Sequence, residues 1–364
     1  MSKFDSIVVG AGIVGSACAL ALARAGMRVA LVEADNPGMG ATAAAMGHIV
    51  ILDDSPAQFR LTHYSQQLWK ELANSLPPSC EYKPIGTLWI AEDDEEMGEI
   101  VRKHGHYGEG GVQTKILSPD QVYAFEPNLR SGLSAGLLVP SDCVVDAPAV
   151  AKHLAEQCIA AGGLLIHERA IAMGQGAVQL ASGAVLQSNR IVNAAGEHAG
   201  RLTEGLPIRP RKGHLALTDC YPGLVRHQIV ELGYLKSAHL TTEDSVAFNV
   251  QPRASGQILI GSSRQFDAEN AEVDSGVLSR MLERAIRYLP MLEQIPVVRV
   301  WTGFRTATPD KLPLIGPWPH DESVFLATGH EGLGITTSLG TAELLAAQIC
   351  GREAEISIEP YLPS

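Results

Sequence analysis

Apolar positions come in short runs at both ends of this chain and alternate with polar ones through its middle. Ile7 to Val9 is an apolar run of strand length that breaks at Gly10. A helical stretch follows from Ala17 to Ala25, Gly26 stops it, and a second apolar run, Val29 to Val32, ends on Glu33. This rhythm predicts a strand–turn–helix–strand unit. From Gln58 to Leu76, Phe59, Leu61, Leu68, Leu72 and Leu76 recur at near-helical spacing until Pro77 and Pro78 end the helix. Tyr82 to Ala91 reads as a strand, Glu92 to Tyr107 as a charged helix, and Ser118-Pro119-Asp120-Gln121 as a helix start within Ile116 to Glu126. Gly132 to Pro140 is another strand. Asp146 is placed to cap a helix with Pro148 in its first turn, ending at Gly162 and Gly163. LLIHERAI then reads as one strand, followed by a hairpin turning at Ser182-Gly183. Ile191 and Val192 form a short buried strand, and a helix is expected near His198.

From Arg209 to Gln294 the style changes. Strands with turns between them predict a largely antiparallel sheet, with one helix from Val277 to Leu289 stopped by Pro290. Val297 to Ser364 returns to the opening style, with a strand, a Pro-rich turn, another strand, a glycine-rich turn and a helix starting near Gly334. The fold class expected is α/β, or α+β overall. A Rossmann-like domain with a doubly wound parallel sheet (residues 1–80, 141–208 and 297–364) is joined to a substrate domain with a largely antiparallel sheet (81–140 and 209–296).

The length of 364 residues suits about two domains. An apolar fraction of 46% with 19% charged residues is that of a soluble globular protein. A net charge of -12 argues against nucleic acid as a partner, because a polyanion needs a basic face. An anionic substrate would need its own local arginine. Cys18, Cys80, Cys143, Cys158, Cys220 and Cys350 are scattered without a C-x-x-C pair, so no zinc or iron–sulfur ligand set is expected and a reducing cytoplasm fits. The uncharged run Ser6 to Ala23 is read as part of the strand–turn–helix unit, not as a signal peptide or membrane span.

The opening unit carries the most specific chemistry. Gly10, Gly12 and Gly15 stand at G-x-G-x-x-G spacing between a strand and a helix. Gly10 allows the tight turn, Gly12 lets a pyrophosphate approach the backbone, and Gly15 lets helix and strand pack closely. The helix N-terminus offers free N–H groups and a positive dipole end to phosphates. Glu33 sits where a carboxylate takes ribose hydroxyls and disfavours a 2′-phosphate, so FAD or NAD is expected over NADP. Small residues at Gly40, Ala41, Thr42, Ala43 and Ala44 suit contact with a large flat ligand, or else an Ala-rich helix start. His48 is a structural hydrogen bonder or a functional group near neutral pH. Asn193 to Gly196 is a small-residue turn at a strand end. Arg305 could grip a carboxylate with two parallel donors, or serve a structural ion pair.

Four segments together resemble the D-amino-acid oxidase-like FAD oxidoreductases, the group that includes glycine and sarcosine oxidases. They are GAGIVG with Glu33, GATAAAMGHI, VNAAGEHA, and GFRTATPDKLPLIG followed by ATGHEGLGITTSLG. They span nearly the whole chain. GMGATAAAMGHIVILDDS and QPRASGQILIGSSRQF look most like bacterial D-hydroxyproline dehydrogenases. The resemblance implies FAD held by Gly10, Gly12, Ile13, Val14 and Gly15 at the pyrophosphate and by Glu33 and Ala34 at the ribose. Thr42, Ala43 and Ala44 would line the pyrophosphate, with Met46, Gly47 and His48 near the flavin ring. Ala170 and Ile171 would touch adenine by backbone, and Ala195, Gly196 and Gly303 would pack on the cofactor. Gly332, Leu333, Gly334, Ile335 and Thr336 would put N–H groups at the pyrimidine edge. Arg305 matches the substrate-carboxylate arginine, and His48 and Tyr234 complete the implied catalytic set. Two departures stand out. No cysteine neighbours the flavin segments, which implies non-covalent FAD, and Phe248-Asn249 replace the tyrosine often found before the Pro-Arg of the substrate sheet.

What the resemblance implies is oxidation of a small amino acid at its C–N bond by hydride transfer to flavin N5. The substrate would be a D-amino acid or a secondary amine such as D-hydroxyproline or D-proline. The alternatives are a glycine- or sarcosine-type oxidase using O2, and the FAD subunit of a multi-subunit opine-type dehydrogenase. The electron acceptor is O2 or the respiratory chain, the location cytoplasmic or peripheral to the inner membrane, and the assembly a homo-oligomer or a complex subunit.

Overall fold

The computed structural model describes residues 4–363 apart from 234–243, 267 and 269. The chain divides into two compact units, one of Met1–Tyr82, Val145–Pro210 and Arg305–Ser364, the other of Lys83–Val144 and Arg211–Phe304. The last division falls inside the strand Val297–Ala307.

The first unit is built on a six-stranded sheet. Its spatial order is Leu314–Trp318, Asp321–Thr328, Ile191–Asn193, Ser6–Val9, Val29–Glu33 and Leu164–His167. Ser6–Val9 pairs in parallel with both Val29–Glu33 and Ile191–Asn193, and only the edge strand Leu314–Trp318 runs antiparallel. The central strands are buried throughout, as strands covered on both faces must be, which is why they read as unbroken apolar runs. The helix Ile13–Arg24 packs between Ala147–Ala160 and the closing helix Gly334–Cys350. Being flanked on two sides, it is apolar nearly all round. Gly340 lets the closing helix press on Pro56–Ala73, since a Cβ there would stand 2.3 Å from Ser65 Oγ.

The second unit holds an eight-stranded sheet, and from Arg209–Thr218 across to Lys115–Leu117 its neighbouring strands pair antiparallel except where Gln228–Glu231 runs parallel to Thr87–Ala91. Successive side chains of a strand face opposite sides. Leu88, Ile90, Ile229, Phe248, Val250, Ile258 and Ile260 share one face and form a core with Met281, Ala285 and Tyr288 of the helix Ser275–Tyr288. Caps read from the sequence are in place. Ser118 and Gln121 form a reciprocal capping box, and Asp146 accepts from Ala149 N at 2.9 Å.

Three local readings need correction. LLIHERAI is two strands, Leu164–His167 and Ala170–Gly174. The first joins the parallel sheet, while the second starts a separate three-stranded antiparallel sheet. Residues 41–44 are a turn rather than a helix start, because Thr42 is drawn to the end of another helix. Near His198 there is only a 3₁₀ turn and the single-turn helix Ala199–Leu202. No helix among the described residues is long and apolar enough to cross a membrane, and Ser6 to Ala23 is strand and buried helix.

Candidate active site

The glycine turn is shaped by what surrounds it. Gly10 has φ of 101°, and a Cβ there would lie 2.5 Å from the Ala194 carbonyl oxygen. A Cβ on Gly15 would stand 1.9 Å from the Gly10 carbonyl oxygen, so helix and strand meet backbone to backbone. Gly12 caps the helix Ile13–Arg24 without a side chain. The first N–H groups of any helix have no intrahelical partner. Here Thr42 Oγ1 accepts from Ile13 N at 3.1 Å, and the amides of Val14 and Gly15 are left facing the turn.

Glu33 closes the same corner. Its Oε2 accepts from Ala11 N at 2.6 Å and its Oε1 from Asp35 N at 2.9 Å. A carboxylate has lone pairs for about four hydrogen bonds, so capacity for hydroxyl donors remains on both oxygens. A Cβ on Gly12 would sit 3.2 Å from Thr42 Oγ1 and fill the cradle between helix end and loop. A groove of backbone donors walled by glycine, with a half-buried carboxylate at one end, fits the diphosphate and ribose of a dinucleotide.

A second cluster gathers around the start of the closing helix. Leu333 caps Gly334–Cys350 with no side-chain hydrogen bond, so Gly334, Ile335 and Thr336 begin the helix with unshared amides. Thr336 is fully buried, and its hydroxyl donates to His48 O at 3.2 Å and accepts from Val50 N at 3.1 Å. Trp69 Nε1 donates to Thr336 O at 2.9 Å. Thr336 therefore anchors the His48 strand to the helix end. Glu331 N donates to Thr306 O at 2.8 Å, which ties the Arg305 segment to the same turn. A Cβ on Gly332 would meet Arg305 Nε at 3.7 Å, so the guanidinium lies over a residue with no side chain.

His48 lies within reach of the Arg305 charge. Burial, and then that charge, push its pKa down to about 4. His330, ahead of the helix, is 7% exposed, pairs its Nε2 with Thr341 Oγ1 at 3.0 Å, and is pushed by burial to about 4. Both imidazoles are neutral above mildly acidic pH. A folded pKa below the ordinary 6.5 means the unfolded chain binds more protons between about 4 and 6.5. The stability from keeping these rings neutral is complete above pH 6.5 and is lost as pH falls toward 4. Each ring adds up to about 1.4 kcal/mol per pH unit in that window. Unfolding midpoints of His330→Asn measured from pH 7 to 4.5 should fall less steeply than those of the wild type. Equal slopes would show that His330 does not titrate with unfolding.

The structure brings together Gly10, Gly12, Ile13, Val14, Gly15, Glu33 and Thr42 at one corner, with Ala195 packed against Gly10. It brings His48, Arg305, Gly332, Leu333, Gly334, Ile335 and Thr336 together at another. Ala34 is exposed beside Glu33, Ala43 and Ala44 are half-buried next to Thr42, and Gly196 follows Ala195. Met46 is buried, and Gly47 has φ of 86° and accepts from Val145 N at 2.7 Å. Ala170 and Ile171 begin the three-stranded sheet, and Ile171 is 49% exposed. Gly303 belongs to the second unit, and Tyr234 lies outside the described residues. No group of His, Cys, Asp and Glu among the described residues could hold a metal ion. The sequence reading missed His330 and the anchoring role of Thr336. A lone histidine in a glycine-rich turn gives no local signal, and the contacts of Thr336 lie 286 residues away.

The FAD dependent oxidoreductase (DAO) family matches residues 5–348, and the chain belongs to it. It is an FAD-dependent oxidoreductase, and the glycine turn, Glu33 and the uncapped helix ends suit that cofactor. Its sequence is similar to the glycine oxidase of Pseudomonas aeruginosa, 28% identical over 98% of each chain. It is also 26% identical to hydrogen cyanide synthase subunit HcnC of the same organism, over 99% of this chain and 95% of that one. Among solved structures, glycine oxidase from Geobacillus kaustophilus superposes with a TM-score of 0.88 at 25% identity, over 100% of this chain and 99% of that one.

Proposed function

We propose that this enzyme oxidises the C–N bond of a small amino acid, with a secondary amine of the proline type, such as D-hydroxyproline or D-proline, as the preferred substrate. The observation that carries the amino-acid reading is Arg305, whose guanidinium lies over side-chain-free Gly332 beside His48. Bound FAD, held without a covalent link, supplies a two-electron acceptor for hydride leaving the carbon next to nitrogen. Arg305 grips the substrate carboxylate with two parallel N–H donors and fixes which carbon is presented. His48, kept neutral by burial and by Arg305, adds no second positive charge and presents an imidazole that donates or accepts one hydrogen bond. The amine binds unprotonated, and water hydrolyses the imine product after release. Gly10, Gly12, Val14 and Gly15 with Glu33 hold the nucleotide half, and the amides from Gly334 onward favour negative charge at the other end. On this reading the first unit binds the cofactor and, through Arg305, the substrate carboxylate.

Oxidation of glycine with O2 is a second reading, favoured by the likeness to the glycine oxidases of Pseudomonas aeruginosa and Geobacillus kaustophilus. HcnC, a named subunit of a synthase, supports a place in a larger assembly. A panel of D- and L-amino acids, glycine, sarcosine and the proline and hydroxyproline isomers separates these. Dye reduction should be fastest with a cyclic secondary amine. Faster oxygen uptake with glycine than with any of them would transfer the assignment to the oxidase reading.

A further inference from the structure

The eight-stranded sheet of the second unit ends on an open strand. Val297–Ala307 is last in the strand order, beside Arg209–Thr218, and runs for 11 residues. Val297, Val298, Arg299 and Val300 are all exposed, Val298 at 54%. From Trp301 the strand is partly buried, and the Thr302 hydroxyl donates to Ala271 O at 2.5 Å. The open stretch is therefore residues 297–301. It holds three β-branched residues and an aromatic one, with no proline, glycine or acid. Arg299, its one charge, lies over the Trp301 ring at 4.7 Å. Met291, in the turn that leads into the strand, is 46% exposed. Tyr221 is 43% exposed and follows Asp219, whose N–H donates to Pro296 O at 2.8 Å beside the strand's start.

A sheet edge presents unpaired backbone N–H and C=O groups, and folded proteins shorten it, place proline on it or cover it. The other edges of the two large sheets follow that rule. Lys115–Leu117 has 3 residues and Leu164–His167 has 4, while Leu314–Trp318 carries Pro317. Of these edges, the one at 297–301 alone is both long and apolar. An extended strand covers such an edge best, because it meets the row of donors and acceptors with its own. A second copy of the same stretch fits. Two copies related by a two-fold axis pair antiparallel. An axis through Arg299 would set two guanidinium groups against each other, which is unfavourable. An axis through Val300 sets Val300 against its counterpart and Arg299 against Trp301 of the second copy. Each guanidinium then meets an indole, the contact it already makes within its own chain. The chain carries a net charge of -12, so two copies approach most easily where neither bears a carboxylate, and residues 294–308 hold none. A stable interface covers roughly 800 Å² per partner, more than five paired residues supply. Met291 and Tyr221 extend the apolar surface beyond them.

We propose that residues 297–301 form an interface at which two copies of this chain join their eight-stranded sheets into one, across a two-fold axis at Val300. Each copy contributes the same patch, as a closed two-fold interface requires. The pairing takes the apolar edge out of water and shields it from open-ended association. It stands apart from the substrate reading above and holds whichever amino acid is oxidised.

Sedimentation of the FAD-loaded full chain at micromolar concentration tests this. The wild type should sediment at twice the chain mass or a higher even multiple. Val298→Asp should raise the dissociation constant by about a hundredfold or more, since it buries a carboxylate against an apolar strand. Val298 is a surface residue, so the fold and FAD content of this variant should not change. Val101→Asp is the control. Val101 is 52% exposed on the helix Asp94–Glu109, so the same charge added there should leave the assembly intact. A second measurement reads the register. Val300→Cys, with the exposed Cys220 and Cys350 replaced by serine, should form a disulfide with its counterpart on mild oxidation. Opposed residues of an antiparallel pair lie within disulfide reach. This variant also serves if Val298→Asp fails to fold. A monomeric wild type, a Val298→Asp protein that assembles as the wild type does, equal dissociation of Val101→Asp, or a Val300→Cys protein that stays unlinked would each overturn the proposal.

Discussion

Replacing Arg305 by alanine is expected to lower kcat/KM by roughly thirty- to several-thousandfold while the protein keeps its yellow flavin. The estimate follows from the usual cost of removing one partner of a desolvated charged pair, about 2–5 kcal/mol, at about 1.4 kcal/mol per factor of ten. FAD is retained because the groups proposed to hold it, the glycine turn, Glu33 and Thr42, do not depend on this side chain. Arg305→Lys should recover only part of the loss, since a point charge cannot reproduce two parallel donors. His48 gives an independent readout. Burial is the larger cause of its low pKa, and the Arg305 charge adds to it, so in Arg305→Ala the His48 ring should titrate at higher pH. NMR titration of the His48 ring reads that directly. A normal turnover rate with an unmoved His48 would remove Arg305 from the site.

Adding a single methyl group at Gly15 should be almost as damaging, for a different reason. The new Cβ would fall 1.9 Å from the Gly10 carbonyl oxygen and 3.1 Å from the Ala194 methyl. The nearest atoms are Gly10 backbone and an alanine methyl, so no flexible side chain can move aside. The helix must shift off the strand and carry its N–H groups away from the turn. A destabilisation at or above the usual 1–3 kcal/mol for overpacking is expected, together with loss of FAD on gel filtration. Gly26→Ala is the control. Gly26 has φ of 85° but nothing within 4 Å, so only backbone strain of about 1–2 kcal/mol applies and FAD stays bound. If Gly15→Ala holds FAD as well as Gly26→Ala does, the turn does not cradle the cofactor.

The opening unit was legible because its signals are local. Three glycines, a helix start and Glu33 lie within about one helix length of one another, and each stands where the turn chemistry requires it. Helix caps such as Ser118 and Asp146 were readable for the same reason. Contacts between distant segments were not. Nothing near Thr336 tells that its hydroxyl will bridge His48 and Val50, and nothing near Thr42 tells that it will take the Ile13 amide. The parallel pairing of Gln228–Glu231 with Thr87–Ala91 also has no local sign, because both strands are buried throughout, as is the antiparallel neighbour Ala135–Val139. The break in LLIHERAI was hidden by composition, since apolar residues continue on both sides of Glu168 and Arg169. Arg305 was found by chemistry and family likeness. The second half of its setting, an empty position at Gly332 under the guanidinium, appears only in three dimensions.

Anaerobic mixing of the purified FAD-loaded enzyme with small amino acids, followed by flavin absorbance, bears most directly on the account. Bleaching by at least one of them in the wild type, and its loss in Arg305→Ala with FAD still bound, is the predicted result. A wild-type flavin that dithionite reduces but no amino acid bleaches would contradict it.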